Sequence, residues 1–200
     1  MTATGSPQPR LGRPTASARD RLMRAALARF DSDSLVSVSL DDIRQEAGVS
    51  VGALYHHFSD KAGLFEALYL DLTKQFQAGF LAELRSHATA EEGIEAGVRF
   101  YLRWVIRNRA GAGLLLGYRP DDAILAEPNR RFFADVMGWW LTHVHYGTLR
   151  ALPPELIHAL WLGPAQEYTR HWLAGYAKRP AGSVLDTLAH AAWKTLKEPS

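Results

Sequence analysis

The sequence predicts an all-α fold, and three observations carry that expectation. Apolar residues recur at three- and four-residue spacing from Leu22 to Leu196, the period of an amphipathic helix. No segment sustains the apolar–polar alternation of a half-buried strand. The breaks between periodic segments carry helix punctuation: Ser39, Ser50 and Thr89 as capping residues, and Gly48, Gly182, Pro128, Pro153-Pro154 and Pro164 as starts or stops. About nine helices account for the 200 residues.

Residues 1–14, MTATGSPQPRLGRP, are rich in Gly, Pro, Ser and Thr and bury too little to order themselves, so they are expected to form a flexible basic arm. Its arginines suit a minor groove or solvent equally. A first helix is expected over residues 16–30, with Leu22, Ala25, Ala26 and Phe30 as its core stripe. Ser39 opens a second, because its hydroxyl accepts from an amide two or three residues on and Asp41 and Asp42 put negative charge in the first turn. Gly48 tolerates the left-handed backbone that ends this helix, and Ser50 caps a third. Leu54 and Phe58 then face inward, which leaves Val51, Gly52, Ala53, Tyr55, His56 and His57 outside on a helix about two turns long. An exposed face of small, aromatic and imidazole groups, without acids, suits a major groove.

Ser59 is the expected cap of a fourth helix whose first turn holds Lys61. A cation is poorly placed there for the helix dipole, which points to a phosphate as its partner. Leu64, Phe65, Leu68, Leu72 and Phe76 continue the stripe to about residue 84, long enough to belong to two domains. Thr89-Ala90-Glu91-Glu92 is a capping box that starts a fifth helix. Residues 111–117 read as a small-residue connection; their glycines follow a helix rather than a strand and no Gly-Lys-Ser/Thr is present, so a nucleotide loop is rejected. Pro128 suits the first turn of a helix over residues 128–150, with Asp121-Asp122 capping nearby. The next helix, residues 155–176, is expected to break near Leu162 at Gly163-Pro164. Gly182-Ser183 starts the last, residues 184–196.

From residue 21 to 68 the chain resembles the DNA-binding domain of the tetracycline-repressor (TetR) family. The matching residues are Ala25-Ala26, Phe30, Ser39, Ile43, Ala47-Gly48-Val49-Ser50, Gly52, Leu54-Tyr55-His56-His57-Phe58 and Lys61, and the run AGVSVGALYHHFSDK is the specific part. Ser34 and Arg44 depart from the family pattern, which usually has glycine and alanine there; Arg44 adds a candidate phosphate contact. The resemblance implies a homodimeric regulator whose third helix enters the major groove of double-stranded DNA and whose remaining helices bind a small-molecule effector. The expected layout is a basic arm over 1–14, a three-helix helix-turn-helix DNA-binding domain over 15–62, and a larger helical ligand-binding and dimerisation domain over 63–200. At the DNA surface Val51, Gly52 and Ala53 lie closest to base edges, Ser39, Tyr55, His56 and Lys61 hold phosphates, and Ser50 and His57 complete the set.

Composition narrows the function classes. Net charge is only +2, yet residues 1–29 hold six arginines against the single acid Asp20, the local bias that phosphate binding needs. Without cysteine, disulfides, thiol catalysis and thiolate metal sites are excluded. The N-terminus has no apolar signal core and no 18-residue apolar run occurs, so a cytoplasmic protein without membrane contact is expected. No nucleophile elbow or Walker sequence appears, and no catalytic residue or cofactor is expected. His143-x-His145 and Glu167-x-x-x-His171 have metal-compatible spacing, but neither makes a three-ligand set alone, and no metal site is expected.

Beyond residue 89 aromatic side chains are dense, and mixed with polar groups they fit the make-up of a small-molecule cavity. Phe100, Trp104, Phe133, Trp140, His143, Glu167, Tyr168, His171 and Trp172 are the expected lining, with Glu167 as partner for a cationic effector. Leu156, Leu160, Leu185, Leu188 and Ala192 are the expected dimer surface. The sequence therefore reads as a ligand-responsive regulator, a repressor released from a palindromic operator by an apolar or aromatic effector. The competing readings are a helical small-molecule binder or enzyme with a vestigial helix-turn-helix, and an architectural DNA binder without a ligand; salt-sensitive duplex binding and its response to ligand separate them.

Overall fold

A computed structural model describes residues 16–32, 38–118, 120 and 122–199. The basic arm over 1–14, Ser34 and Asp121 lie outside them. Ten helices are present among the described residues: α1 (Ala18–Ser32), α2 (Leu40–Ala47), α3 (Val51–His57), α4 (Lys61–Arg85), α5 (Ala90–Arg107), α6 (Arg109–Gly117), α7 (Asp122–His145), α8 (Pro154–Trp161), α9 (Gly163–Leu173) and α10 (Gly182–Leu196). One isolated antiparallel bridge, Leu149 with Lys197, pins the end of α10 beside the α7–α8 connection. The fold is all-α.

Two apolar clusters organise the molecule, and α4 belongs to both. Leu64, Phe65, Leu68 and Leu72 from its first half join Leu22, Ala26, Ile43, Val49, Leu54 and Phe58 in the N-terminal cluster. Phe80 and Leu84 from its second half join Ile94, Leu102, Trp140, Trp161 and Leu196 in the larger one. At about 1.5 Å per residue, its 25 residues form a rod of roughly 37 Å. Leu114 of α6 is buried in the N-terminal cluster, and Trp104 of α5 packs against both clusters.

Several boundaries differ from the sequence-based expectation. Residues 111–117, read as a connection, lie in α6. Cβ atoms at Gly111 and Gly113 would stand 3.1 Å from a Leu72 methyl and 3.2 Å from the Phe30 ring, so these glycines let α6 wedge between α4 and α1 despite their poor helix propensity. Helix α7 starts at Asp122, which puts Pro128 inside it rather than at its start. The turn around Pro128 survives the missing amide because α7 docks on α4 there, with Gln77 Nε2 donating to Asn129 Oδ1 at 2.8 Å. It ends at His145, and Gly147 at φ 67° then turns the chain. The break at Leu162 is present and divides α8 from α9, which stops at Leu173. Asp60, not Ser59, caps α4, its Oδ1 accepting from Gly63 N at 2.8 Å. Helix α10 starts at Gly182, two residues before the expected 184, and Ala181 precedes it with no side-chain cap.

Candidate nucleic-acid interface and small-molecule cavity

The helix-turn-helix is built by local hydrogen bonds. Ser39 Oγ accepts from Asp42 N at 3.1 Å and donates to Asp42 Oδ2 at 2.6 Å, closing the start of α2. Gly48 at φ 60° ends it, with Gly48 N donating to Gln45 O and Val49 N to Arg44 O. Ser50 Oγ then accepts from Ala53 N at 3.2 Å to start α3. Arg21 of α1 clamps the turn by donating to the Ala47 carbonyl at 3.1 Å.

Arg44 is also spent inside this turn. Its guanidinium donates to Asp41 Oδ1 at 2.7 Å and to the Val49 carbonyl at 3.1 Å, which fixes the connection between α2 and α3.

With Leu54 2% and Phe58 5% exposed as anchors, α3 presents its other side outward. Val51 and Tyr55 are 55% and 58% exposed, Gly52, His56 and His57 are exposed beside them, and Ala53 is half-buried. No acidic residue lies on α3, and nothing lies within 4 Å of where a Gly52 side chain would begin. Lys61 is the first residue of α4. Arg19, which the sequence did not single out, lies over the Phe58 ring at 5.9 Å and adds positive charge behind α3. The exposed face of α3 thus carries no carboxylate that would repel a phosphate backbone.

The larger cluster contains two adjoining cavities, of about 330 and 270 Å³, near the low end of the roughly 300–1,000 Å³ typical of ligand sites. Phe132, Phe133, His158 and Leu162 line both. The first extends to Phe80, Met137 and Trp161; the second runs toward α6, along Phe76, Tyr101, Trp104, Ala112 and Leu115. Tyr69, Phe76, Tyr101, Phe132, His158 and Gln166 are wall residues that sequence spacing did not select. They come from five different helices, and only their convergence marks them.

Of the nine expected lining residues, Trp104 and Phe133 are on a cavity wall. The other seven are engaged elsewhere. Glu167 is on the exposed side of α9, paired with Arg170 and with His171 Nε2 at 3.1 Å, so neither it nor His171 faces a cavity. Tyr168 donates to the Lys178 carbonyl at 3.1 Å and Trp140 to the Arg150 carbonyl at 3.2 Å. Phe100 packs edge-on to Phe80 and covers Gly79, and Trp172 packs against the core. His143 sits edge-on to Trp139 with ring centroids 4.4 Å apart, and desolvation lowers its pKa. Among the described residues no three His, Asp or Glu side chains gather as a metal site, and no helix is long and apolar enough to cross a membrane.

Comparison with known proteins agrees with this geometry. The family of bacterial regulatory proteins named tetR matches residues 22–68, which hold most of α1, all of α2 and α3, and the start of α4. The chain is 36% identical over 72 residues to the HTH-type transcriptional regulator BetI of Cronobacter sakazakii, a match spanning 36% of each chain. It thus spans about a third of that relative's length. Against BetI of Burkholderia thailandensis the identity is 25% over 88% of this chain and 79% of the relative. In three dimensions the chain resembles a TetR-family transcription regulator from Marinobacter aquaeolei VT8, with a TM-score of 0.78, 16% identity, and coverage of 91% of this chain and 96% of that one; this likeness shows the fold. Residues 22–68, from α1 into α4, match the tetR family of bacterial regulatory proteins, and the chain as a whole shares the all-helical fold of the TetR-family regulator it resembles.

Proposed function

We propose that the protein is a ligand-responsive repressor that binds a palindromic operator as a homodimer and leaves it when an apolar or aromatic molecule occupies the cavity. The observation that carries this reading is α3, a short helix capped by Ser50, anchored by Leu54 and Phe58, and presenting an exposed acid-free face. One two-turn helix reads too few base pairs for a specific site, so two copies on half-sites about one helical turn or a multiple apart are required.

Ligand occupancy acts on DNA only if it favours one arrangement of the two reading heads over the other. Two elements span the distance. Helix α4 lends Tyr69, Thr73 and Phe76 to the cavity and begins at Lys61 beside α3. Helix α6 lends Ala112, Leu115 and Leu116 to the cavity while Leu114 is locked in the N-terminal cluster. A molecule that displaces α6 therefore pushes on α1 and the base of the helix-turn-helix.

Duplex binding followed by fluorescence anisotropy over a salt series tests the reading. The affinity is expected to fall steeply with salt, because phosphate contacts release counterions, and Lys61→Ala is expected to lower the slope by about one. Ala53→Arg changes which sequence is preferred, since a long cation then meets the base edges. Salt-independent or absent duplex binding contradicts the proposal, and an unchanged slope in Lys61→Ala removes Lys61 from the interface.

A further inference from the structure

The turn between α2 and α3 is held by hydrogen bonds at a point where packing leaves it loose. Gly48 has a left-handed backbone, φ 60°, and apart from its chain neighbours nothing lies within 4 Å of where its Cβ would begin. Glycine has more backbone freedom to lose than any other residue, so Gly48 does not by itself fix the angle between the two helices. Two arginines restrain it from either side. Arg21 of α1 donates to the Ala47 carbonyl at 3.1 Å, and Arg44 of α2 donates to the Val49 carbonyl at 3.1 Å. Val49 N in turn donates to the Arg44 carbonyl at 3.2 Å, so residues 44 and 49 close on each other through two bonds. The guanidinium is itself steered: its Nε donates to Asp41 Oδ1 at 2.7 Å, while Gln45 Nε2 holds Asp41 Oδ2 at 2.6 Å. With 21% of its side chain exposed, Arg44 lies against this turn.

Val49 immediately precedes Ser50, the cap of α3, and the exposed residues of α3 follow. Leu54 and Phe58 pin the later part of α3; ahead of it, Val49 is 4% exposed and its carbonyl is tied to Arg44. We propose that Arg44 is a positioning residue for sequence reading: by holding Val49 it sets where Val51, Gly52 and Ala53 stand against the base edges, and it raises discrimination between duplexes rather than attraction to DNA in general. This role rests on α3 being the reading helix. Hydrogen bonds to base edges are directional and weaken with small displacements, whereas attraction to phosphates is independent of sequence and tolerates them. A looser turn therefore weakens binding to the right sequence more than to a wrong one. Lysine does not replace arginine here, because an ammonium has no planar fork to aim at a carboxylate and a carbonyl together.

The test uses a duplex that the full parent chain enriches from a random-sequence pool, with a scrambled duplex as reference. Anisotropy gives both affinities over a salt series, at a temperature where circular dichroism shows every variant folded. Arg44→Ala keeps a good helix former in α2 and is expected to lower the ratio of selected to scrambled affinity about fivefold, the value of one net hydrogen bond, with the salt slope unchanged. Arg44→Lys is expected to lose as much of the ratio, and Asp41→Ala, which lets the guanidinium go, to lower it as well. A phosphate ligand behaves differently: Arg44→Ala then weakens both duplexes alike and cuts the slope by about one, Arg44→Lys restores the parent, and Asp41→Ala tightens both by releasing the cation. That pattern overturns the proposal. An unchanged ratio in Arg44→Ala does so too, whatever its melting temperature, because it leaves Arg44 a part in stability alone. If the parent selects a duplex and the variants keep its ratio, only the positioning role falls; if the parent enriches no sequence, the reading of α3 falls and takes this role with it.

Discussion

His143 shows what burial does to a single titratable side chain. Packed against Trp139 on α7, its imidazole is harder to protonate than in water, and desolvation holds its pKa below the ordinary 6.5. The unfolded chain then takes up the proton first as pH falls. The contribution of His143 to stability is accordingly complete above pH 6.5 and is lost as pH drops from there through the lowered folded value. Chemical denaturation of the parent and His143→Gln at pH 7.5 and pH 5 should therefore give a smaller difference at pH 5; a constant difference would show that the imidazole titrates alike in both states. Glu167 teaches the opposite lesson. Its helical spacing to His171 was legible, and the two do interact, but as a surface pair with Arg170 rather than as walls of a site.

At the scale of the element, close approach explains what propensity does not. A Cβ at Gly93 of α5 would lie 2.6 Å from Trp139 Cζ2 and 3.4 Å from a Leu84 methyl. Trp139 is in turn stacked on Trp161 at 5.9 Å and 24°. Alanine favours a helix interior by about 1 kcal/mol over glycine, whereas forcing a tryptophan out of a packed stack costs about 1–3 kcal/mol. With a 2.6 Å approach the steric effect outweighs the propensity gain by up to about 2 kcal/mol, so Gly93→Ala is expected to lower the melting temperature by up to about 8 °C for a chain of this size. A rise would show that Trp139 yields without loss. The same geometry hid α6: its glycines read as a connection because the reason for them, the Leu72 and Phe30 side chains, is distant in sequence. Where the signal is local the elements were legible, as in the Thr89–Glu92 capping box and the break at Leu162.

If the chain pairs as proposed, the question at the scale of the whole molecule is which face meets a second copy. Of the five residues expected at the dimer surface, Ala192 is buried within the protomer, and Leu160, Leu185 and Leu188 are half-buried against its own core. Leu156 on α8 is 48% exposed and is the best remaining probe. Leu156→Glu is expected to give a folded protein whose scattering mass falls toward the 22.3 kDa of one chain, since an unpaired carboxylate in an apolar interface is costly. A folded mutant that stays dimeric moves the interface away from this face of α8. Helical content by circular dichroism separates loss of association from loss of fold.

What the sequence determined by itself is the part written in local chemistry. Caps at Ser39, Ser50 and Thr89, the left-handed Gly48, and the inward pair Leu54 and Phe58 act within one or two turns, so the helices, the helix-turn-helix and the outward face of α3 follow from neighbours along the chain. Only the tertiary structure decided what depends on distant residues meeting. It turned Arg44 inward onto the Val49 carbonyl, placed Glu167 outside, kept α7 helical through Pro128, and brought Phe76, Trp104 and Phe132 together on one cavity wall. An amphipathic period says that a side chain is buried; which helix it is buried against, and whether a partner or a void lies there, is fixed by packing among segments tens of residues apart.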